Sequence, residues 1–311
     1  MADPGSHSHV TAAHPSGRSR PPDPVERLRM VCRAAGLNPK PARLIKFTNN
    51  LVFELPAAGV VVRIVGSPAL HYRVEKIIAV ARWLEQHDFP AIRLHSDFDQ
   101  PVAVGSELAT IWVRAEPTGQ PPDHADLGTL IRRFHSLPPP PDGVLPRFDP
   151  IGNIRHRLDH ADGLGREDRR LLRSLCEEAE AQLAGIDFAE SFGPIHGDAH
   201  IGNVIHSSAG PVLSDFDSTC IGPRTWDLVP VLLGPRRFGD PPEHVDQFLT
   251  AYGSNLPTRD QIDVLLRIRE LQLVASVVPV LRSNPGVVGE FHRRLRSVRD
   301  DDDHTRWSRY R

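Results

Sequence analysis

Residues 193–217 decide the fold, and they read GPIHGDAHIGNVIHSSAGPVLSDFD. Two short β-prone runs lie on either side of the Ser-Ser-Ala-Gly turn in this stretch, which predicts a hairpin. Asn203 immediately precedes the first run and Asp215 immediately follows the second, so the hairpin places them at neighbouring strand ends. Asp198 lies in the loop just before. The stretch therefore predicts a loop carboxylate close to an amide and a second carboxylate from the hairpin.

These three side chains match the chemistry that phosphoryl transfer needs. The transfer depends on positioning and charge neutralisation, and a carboxylate orients the attacking hydroxyl. Asp198 is the predicted catalytic residue. Mg²⁺ is a hard ion that prefers oxygen ligands, so Asn203 and Asp215 are the predicted metal ligands. Asp217 is either a further metal ligand or a turn residue.

The pattern His-Gly-Asp-x-His-x-x-Asn, followed by Asp-Phe-Asp, resembles the aminoglycoside phosphotransferase family, whose relatives include choline, homoserine and macrolide kinases. The resemblance extends over residues 41–253. It implies a two-lobed, protein-kinase-like α+β fold and the same roles for the three residues above. It also implies that His196 and His200 support the loop, and that Asp227 anchors the backbone of the catalytic loop.

The segments before the motif predict a lobe that binds ATP or GTP with Mg²⁺. Arg63 lies on the third predicted strand, where a kinase carries its phosphate-binding lysine, and an arginine fork can contact phosphate at two points. Glu75, on the next helix, matches the residue that pairs with that cation. Asn49 and Asn50 occupy the position of the phosphate loop, which here has no glycine. Val113 begins the hinge segment that contacts the base.

Hydrophobic periodicity predicts a small antiparallel sheet with one helix, followed by a larger and mostly helical part. Strands are predicted at 42–47, 51–55, 60–65, 101–104 and 109–113. The clearest later helices are predicted at 167–183, 225–233 and 259–278. The predicted organisation is a disordered tail (1–22), a nucleotide-binding N-lobe (23–115), a hinge (116–122), a C-lobe with the catalytic loop, metal site and acceptor pocket (123–298) and a polar C-terminal tail (299–311).

The composition excludes several classes of partner. The chain has 311 residues, a formal net charge of −2 and a pI near 6.8, so it lacks a basic field for nucleic acid. Its three cysteines show no Cys-x-x-Cys spacing, which argues against a disulfide framework or a zinc site. The longest apolar run is too short for a membrane span, and residues 1–24 lack the apolar core of a signal peptide. We expect a cytoplasmic protein whose partners are a nucleotide and a small hydroxyl compound.

Family resemblance puts aminoglycosides and related amino sugars first among the expected acceptors. Sugars, choline-like alcohols, homoserine and macrolides are the alternatives. An acidic pocket would favour a polycationic acceptor. Asp159, Asp162 and Glu270 lie in segments that can line such a pocket, although each of these types is more often a surface charge.

Two other functions compete with the kinase interpretation. Residues 215–219 fit the Asp-x-Asp-x-Thr pattern of haloacid-dehalogenase-type phosphatases, with Asp215 as nucleophile and Asp217 as acid. Those enzymes need a downstream phosphate-binding lysine, and Lys76 is the last lysine in the chain. The second alternative is a kinase-like module without activity. The arginine at position 63 and the glycine-free phosphate loop leave it open, although the three motif residues are all present.

Overall fold

The computed structural model describes residues 23–47, 50–66, 71–161, 163–188, 192–253 and 258–310. Two predicted site residues, Asn49 and Asp162, lie outside these ranges. The described part has the predicted α+β organisation, because an antiparallel sheet with two helices comes first and a mostly helical part follows. Within it, no helix has the length and apolar composition that a membrane crossing requires.

The N-terminal sheet is antiparallel and follows the predicted strands closely. Its members are β1 (Arg43–Phe47), β2 (Asn50–Leu55), β3 (Val60–Val65), β4 (Val102–Val104) and β5 (Glu107–Val113). They lie in the order β1-β2-β3-β5-β4. Gly59, at φ 65°, closes the turn between β2 and β3 in the left-handed conformation that glycine adopts without strain. The register pairs Val52 with Arg63, so both side chains are on the sheet face that lines a large cleft.

Two helices accompany the sheet. They are α1 (Pro24–Ala34) and α2 (Tyr72–Gln86). Apolar residues of α1 join the buried strand residues on one face. α2 contacts both parts of the molecule: Val74 and Ile78 pack with the end of β3, whereas Val80 and Leu84 join the core of the helical part. A shift of α2 would therefore change the packing of both the N-terminal sheet and the helical part.

The second part is mostly helical. Its helices are α3 (His124–His135), α4 (Pro150–Asp159), α5 (Arg166–Ala184), α6 (Val229–Leu233), α7 (Glu243–Tyr252), α8 (Arg259–Ala275) and α9 (Val288–Arg299). Leu265, Ile268 and Leu271 of α8 are fully buried among residues from α4, α5 and α9. The helix predicted at 225–233 is instead a 3₁₀ turn followed by α6, since Pro230 lacks the N–H that a continuous helix needs.

Two small antiparallel sheets carry the motif. They are β6 (Phe192–Ile195) with β9 (Cys220–Pro223), and β7 (Val204–Ser207) with β8 (Gly210–Leu213). The β7–β8 pair is the predicted hairpin, and Asn203 and Asp215 lie at its open end. The β6–β9 pair brings the loop after β6 beside the segment that precedes β9. The two functional loops are thereby held against each other.

The C-terminal segment differs from the polar tail predicted at 299–311. Trp307 is 4% exposed, and its indole N–H donates to Ser297 Oγ at 3.0 Å. The guanidinium groups of Arg237 and Arg294 lie 4.8 and 5.0 Å from its ring centroid. The prediction was wrong because burying one indole with satisfied polar contacts outweighs the cost of ordering a short charged segment.

Candidate active site

Asp227 fixes the loop that carries the motif. It is fully buried, and its two carboxylate oxygens accept hydrogen bonds from the backbone N–H groups of His196 and Gly197, both at 2.7 Å. His135 Nε2 lies 2.9 Å from the same carboxylate, and Trp226 Nε1 donates to the Gly197 carbonyl at 2.9 Å. These are the contacts expected of a residue that anchors the backbone of the loop.

His196 connects this loop to the hairpin. Its Nδ1 accepts from the Asp198 N–H at 3.3 Å, and its Nε2 lies 3.0 Å from the Ser214 carbonyl oxygen. An N–H facing one nitrogen and a carbonyl facing the other select the Nε2–H tautomer. Phe134 and Phe216 contact the ring edge-on, so the imidazole is fixed in orientation. His196 therefore links the loop to the hairpin through hydrogen bonds.

Asn203 connects the loop of Asp198 to the hairpin. The nitrogen of its side-chain amide donates to the backbone carbonyl of Asp198 at 2.9 Å. Its backbone carbonyl accepts from the Ser214 N–H at 2.8 Å. His200 caps the 3₁₀ turn that leads to Asn203 by accepting from Gly202 N–H at 3.1 Å. Because the amide nitrogen is used by the loop, the amide oxygen is the atom available for a cation.

The two loops touch at Gly197. A Cβ on this residue, whose φ is +84°, would lie 2.2 Å from the Ser218 carbonyl oxygen. Asp215 also has a left-handed backbone, at φ 67°, which is costly for a non-glycine residue and occurs most often at functional sites. Its carboxylate lies 3.1 Å from Lys46 Nζ of β1. The conformation turns Asp215 into the cleft rather than along the strand.

Asn203 and Asp215 fit a magnesium ion by donor chemistry. They offer an amide oxygen and a carboxylate, and Mg²⁺ is commonly held by one or two such groups together with water and phosphate oxygens. The carboxylate of Asp217 binds Arg63, and its role as a further metal ligand stays a prediction. Among the described residues, no three His, Cys, Asp or Glu side chains converge on one point. A metal here would therefore depend on the nucleotide for further ligands.

Arg63 pairs with a different carboxylate from the one the sequence predicts. Its Nη2 lies 2.5 and 2.6 Å from the two Asp217 oxygens, and Asn50 Nδ2 contacts the same carboxylate at 3.4 Å. Glu75 is exposed on α2 and does not supply that contact. The reason is the helix phase: Val74 faces the protein interior, which turns the next residue to solvent.

Lys76 takes the inward position beside Glu75. Its ammonium group donates to the carbonyl oxygens of Asp217 and Thr219 at 2.5 and 3.2 Å. Burial lowers its pKa more than the attraction of Asp217 raises it. The sequence carried one signal for this role, since Lys76 lies within the apolar face of α2 in a chain with only two other lysines.

Several of these residues line a cleft of about 570 Å³. It brings together seven of the nine residues predicted for catalysis, nucleotide binding and metal binding: Asn50, Arg63, Val113, Asp198, Asn203, Asp215 and Asp217. Its apolar wall consists of Val52, Val61, Ile92, Trp112 and Ile205. Val113 is 44% exposed at the end of β5, where the chain leaves the sheet. An apolar slot beside cations and carboxylates has the form expected of a nucleotide site.

The two predicted acceptor residues that the structure describes, Asp159 and Glu270, do not line this cleft. Glu270 is fully buried, and its Oε1 accepts from Arg237 Nε at 2.6 Å. Asp159 is exposed and pairs with Arg173 at 3.0 Å. Both predictions were wrong, because each carboxylate forms an ion pair with an arginine. These pairings depend on the folded structure and could not be predicted from the neighbouring residues in the sequence.

Arginines surround Asp198 instead. Arg269 of α8 binds Asp198 Oδ1 through Nη2, and His200 Nε2 lies 3.6 Å from Oδ2. Burial raises the pKa of Asp198, but the charge of Arg269 and the hydrogen bond of His200 outweigh it and hold the pKa well below its ordinary value. Arg157 of α4 lines the cleft nearby. Sequence reasoning missed both arginines; the one available signal was a charge at position 269 within an otherwise buried helix face.

Comparison with known proteins identifies the fold. Three solved structures share it. An aminopropanol kinase associated with a microcompartment is 16% identical, with a TM-score of 0.68 over 92% of this chain and 100% of that chain. An amicoumacin kinase, in complex with AMP-PNP, Ca²⁺ and amicoumacin, is 15% identical, with a TM-score of 0.64 over 87% of this chain and 91% of that chain. An aminoglycoside phosphotransferase from Streptomyces rimosus is 18% identical, with a TM-score of 0.59 over 80% of this chain and 98% of that chain.

At these identities the three structures establish the protein-kinase-like fold and nothing finer. No curated protein matches the chain. The sequence model of the phosphotransferase enzyme family matches residues 46–265, which is more than half of the chain and includes Asp198, Asn203 and Asp215. The protein therefore belongs to the phosphotransferase enzyme family, and it has that family's two-part, kinase-like fold.

Proposed function

We propose that this protein transfers the terminal phosphoryl group of ATP or GTP, with magnesium, to a hydroxyl group of a small molecule. One observation carries the proposal: Asp198, Asn203 and Asp215 line the same cleft, on loops whose backbones are held by buried hydrogen bonds. Phosphoryl transfer needs such pre-positioned charge more than it needs covalent participation by the protein.

Asp198 orients the acceptor. The hydroxyl oxygen forms a bond to the terminal phosphorus as the bond from that phosphorus to the bridging oxygen breaks, and the nucleoside diphosphate leaves. The hydroxyl proton passes to the Asp198 carboxylate. Because Arg269 and His200 lower the pKa of Asp198, the carboxylate is a weak base, so proton transfer comes late and orientation is its larger contribution.

The nucleotide is held by the sheet side of the cleft. Arg63 and Lys46 supply positive charge beside Asp217 and Asp215, and the apolar wall receives the base. Magnesium, held by the Asn203 amide oxygen and the Asp215 carboxylate, supplies charge neutralisation for the phosphates. Asn50 contributes from the start of β2, whereas Glu75 has no part in this arrangement.

The acceptor is a small hydroxyl compound. Family resemblance places aminoglycosides and related amino sugars first, with a sugar, a choline-like alcohol, homoserine or a macrolide as alternatives. None of these is favoured by acidic residues in the cleft, because Asp159 and Glu270 point elsewhere.

The test is release of nucleoside diphosphate from ATP and from GTP, with magnesium, across a panel of these acceptors. We expect acceptor-dependent release that falls by roughly 10²- to 10⁴-fold in Asp198→Ala, while nucleotide binding persists. Nucleotide binding without release for any acceptor would support the inactive kinase-like module instead. Release that is equal in wild type and Asp198→Ala contradicts the assignment of Asp198.

Asp215→Ala separates metal binding from nucleotide binding. We expect titration calorimetry to show that magnesium no longer strengthens nucleotide binding in this variant, whereas the exposed control Asp260→Ala behaves as wild type. An unchanged magnesium dependence contradicts the proposed metal site. The phosphatase pattern at 215–219 is accidental on this account, and no hydrolysis of phosphate monoesters is expected.

A further inference from the structure

The charges of the cleft divide into paired and unpaired groups. Most of its carboxylates form an ion pair with a basic residue of the N-terminal sheet or of the segment that follows it. Glu54 lies 2.7 and 2.5 Å from nitrogens of Arg43 and Arg114, and Asp217 and Asp215 are held by Arg63 and Lys46. This accounts for four of the basic residues that line the cleft.

Two cleft arginines remain without a carboxylate. Arg157 makes neither a hydrogen bond nor an ion pair with any described residue, and Arg73 bonds only the hydroxyl of its neighbour Tyr72, at 3.0 Å. Both are only partly exposed. Keeping a guanidinium group away from water without a partner is unfavourable, so these two groups are poised for an anion that enters the cleft.

Arg157 belongs to the surroundings of Asp198. It lies on α4, which packs against α8, and α8 carries the Arg269 that binds Asp198. Burial lowers the pKa of Arg157 most, and the positive charges of Arg73 and Arg269 lower it further, while Asp198 opposes them. The cations in and around the cleft therefore form two sets: Arg63 and Lys46 beside the proposed metal and phosphate site, and Arg157 and Arg269 beside the catalytic carboxylate. Arg73 lies between the two sets, because it also lines a small pocket with Arg63 and Asp217.

The only carboxylate that we find beside the second set among the described residues is that of Asp198. Asp198 is already bound by Arg269, which also contacts Gln272 at 2.5 Å. Glu270, the next residue along α8, faces away and is used by Arg237. An ammonium-rich acceptor would meet the unpaired guanidinium group of Arg157 at the point where its hydroxyl must reach Asp198, whereas a carboxylate or phosphate group would find a matching fork.

We propose that the hydroxyl compound phosphorylated here carries an anionic group, a carboxylate or a phosphate ester, which binds Arg157 beside Asp198. This substrate class rests on the proposed phosphotransferase function and narrows it. The anion holds the acceptor by charge-assisted hydrogen bonds, and Asp198 then receives the hydroxyl. Aminoglycosides are excluded as preferred acceptors, because their charge has the wrong sign for this set of arginines.

The first experiment uses small polyhydroxy acceptors of different charge. Glucose, glucosamine, gluconate and 6-phosphogluconate are compared with glycerol, glycerate and kanamycin in the nucleoside-diphosphate release assay with MgATP. We expect the carboxylate or phosphate member of each set to have the highest kcat/KM, and the comparison of gluconate with 6-phosphogluconate tells whether a phosphate ester adds to the effect of the carboxylate. A higher kcat/KM for the neutral or amino member overturns the proposal while leaving the phosphotransferase function intact.

The second experiment tests the arginines. Arg157→Ala should raise the KM of the anionic acceptor by about 10- to 100-fold with little change in the KM of ATP, and Arg157→Lys should recover part of the loss. Arg155→Ala is the matched control, since Arg155 lies on the same helix, is exposed and pairs with Glu180 at 2.7 Å. If Arg157→Ala raises the KM of ATP and spares the acceptor, the arginines bind the nucleotide phosphates and the proposal fails.

Anion binding is also measured without turnover, which separates this inference from the proposed function. Calorimetry of gluconate and 6-phosphogluconate is carried out on the wild type, Arg157→Ala and Arg155→Ala with saturating MgADP. Arg157-dependent binding without any phosphoryl transfer supports the anion site and contradicts the function. Binding of neither anion overturns the anion site, whatever the turnover assay shows.

Discussion

Asp198 is held between Arg269 and His200, and this contact determines the pH range over which it can orient a hydroxyl. Burial raises its pKa, but the charge of Arg269 and the contact with His200 prevail and lower it. The ordinary pKa of an aspartate is about 3.9. A carboxylate with a lower pKa stays ionised as the pH falls, so the wild-type rate should show no acid limb from Asp198 at mildly acidic pH.

Arg269→Met removes the main lowering influence and leaves burial in place. The pKa of Asp198 then rises, so the carboxylate is protonated, and activity is lost, at a higher pH than in the wild type. We expect the acid limb of kcat/KM against pH to move upward by at least about 1 unit. Superimposable acid limbs in the two proteins contradict the contact. Arg267→Met on the same helix serves as control, because Arg267 is paired with Asp301 and not with Asp198.

Residues within one short motif could be predicted, whereas contacts between distant segments could not. Asp198, Asn203 and Asp215 lie within 18 positions of one another, so hairpin geometry alone placed them together. The partner of Arg63 depended on the rotation of α2 against the sheet, which turned Glu75 to solvent. Glu270 was misassigned because sequence does not show whether a carboxylate in an apolar helix is matched by an arginine 33 positions away.

The catalytic loop and the metal-binding segment act as one element because they are in contact at Gly197. Gly197→Ala places a Cβ against the Ser218 carbonyl and imposes an unfavourable φ. We expect unfolding to become easier by about 1–3 kcal/mol and kcat to fall, since the loops must separate. Gly289→Ala in α9 meets no neighbouring atom and should instead stabilise by up to about 1 kcal/mol. Urea unfolding and turnover check both; a Gly197→Ala variant of wild-type stability and activity contradicts the close approach.

Lys76 couples α2 to the same segment by charge rather than by packing. Lys76→Met keeps the length of the side chain and removes both hydrogen bonds to the Asp217 and Thr219 carbonyls. Bonds from a charged donor contribute about 1.5–3 kcal/mol, so the KM of MgATP should rise by about tenfold or more. Stability should change less, since an uncharged methionine is easier to bury. The exposed control Glu75→Gln should leave the KM of MgATP unchanged. If Glu75→Gln raises this KM and Lys76→Met does not, the result favours the pairing of Glu75 with Arg63 that the sequence predicts.

At the scale of the molecule, alternation and periodicity placed the sheet first and the helices second, because each element hides one apolar face. The same reasoning failed at the C-terminus. The four aspartates at 300–303 indicate a solvated segment, yet the carboxylates and carbonyls of this run meet Arg236 and Arg237, and the segment continues to a buried indole. Only the assembled helical part supplies those arginines, so nothing local could reveal the contact.

Trp307 lies outside the helices in the sequence but packs into the hydrophobic core that they form. Trp307→Ala leaves a cavity beside Arg237 and Arg294 and removes the bond to Ser297, so we expect a loss of about 3–5 kcal/mol in the free energy of unfolding. His304→Ala, exposed on the same segment, should change the free energy of unfolding by less than about 0.5 kcal/mol.

Because Trp307 does not line the cleft, the dissociation constant of MgADP should stay the same in the folded Trp307→Ala variant. Denaturant unfolding and calorimetry measure the two quantities separately. A variant that keeps its stability contradicts the packed segment, and one that loses nucleotide affinity as well shows that the C-terminal segment also sets the shape of the cleft.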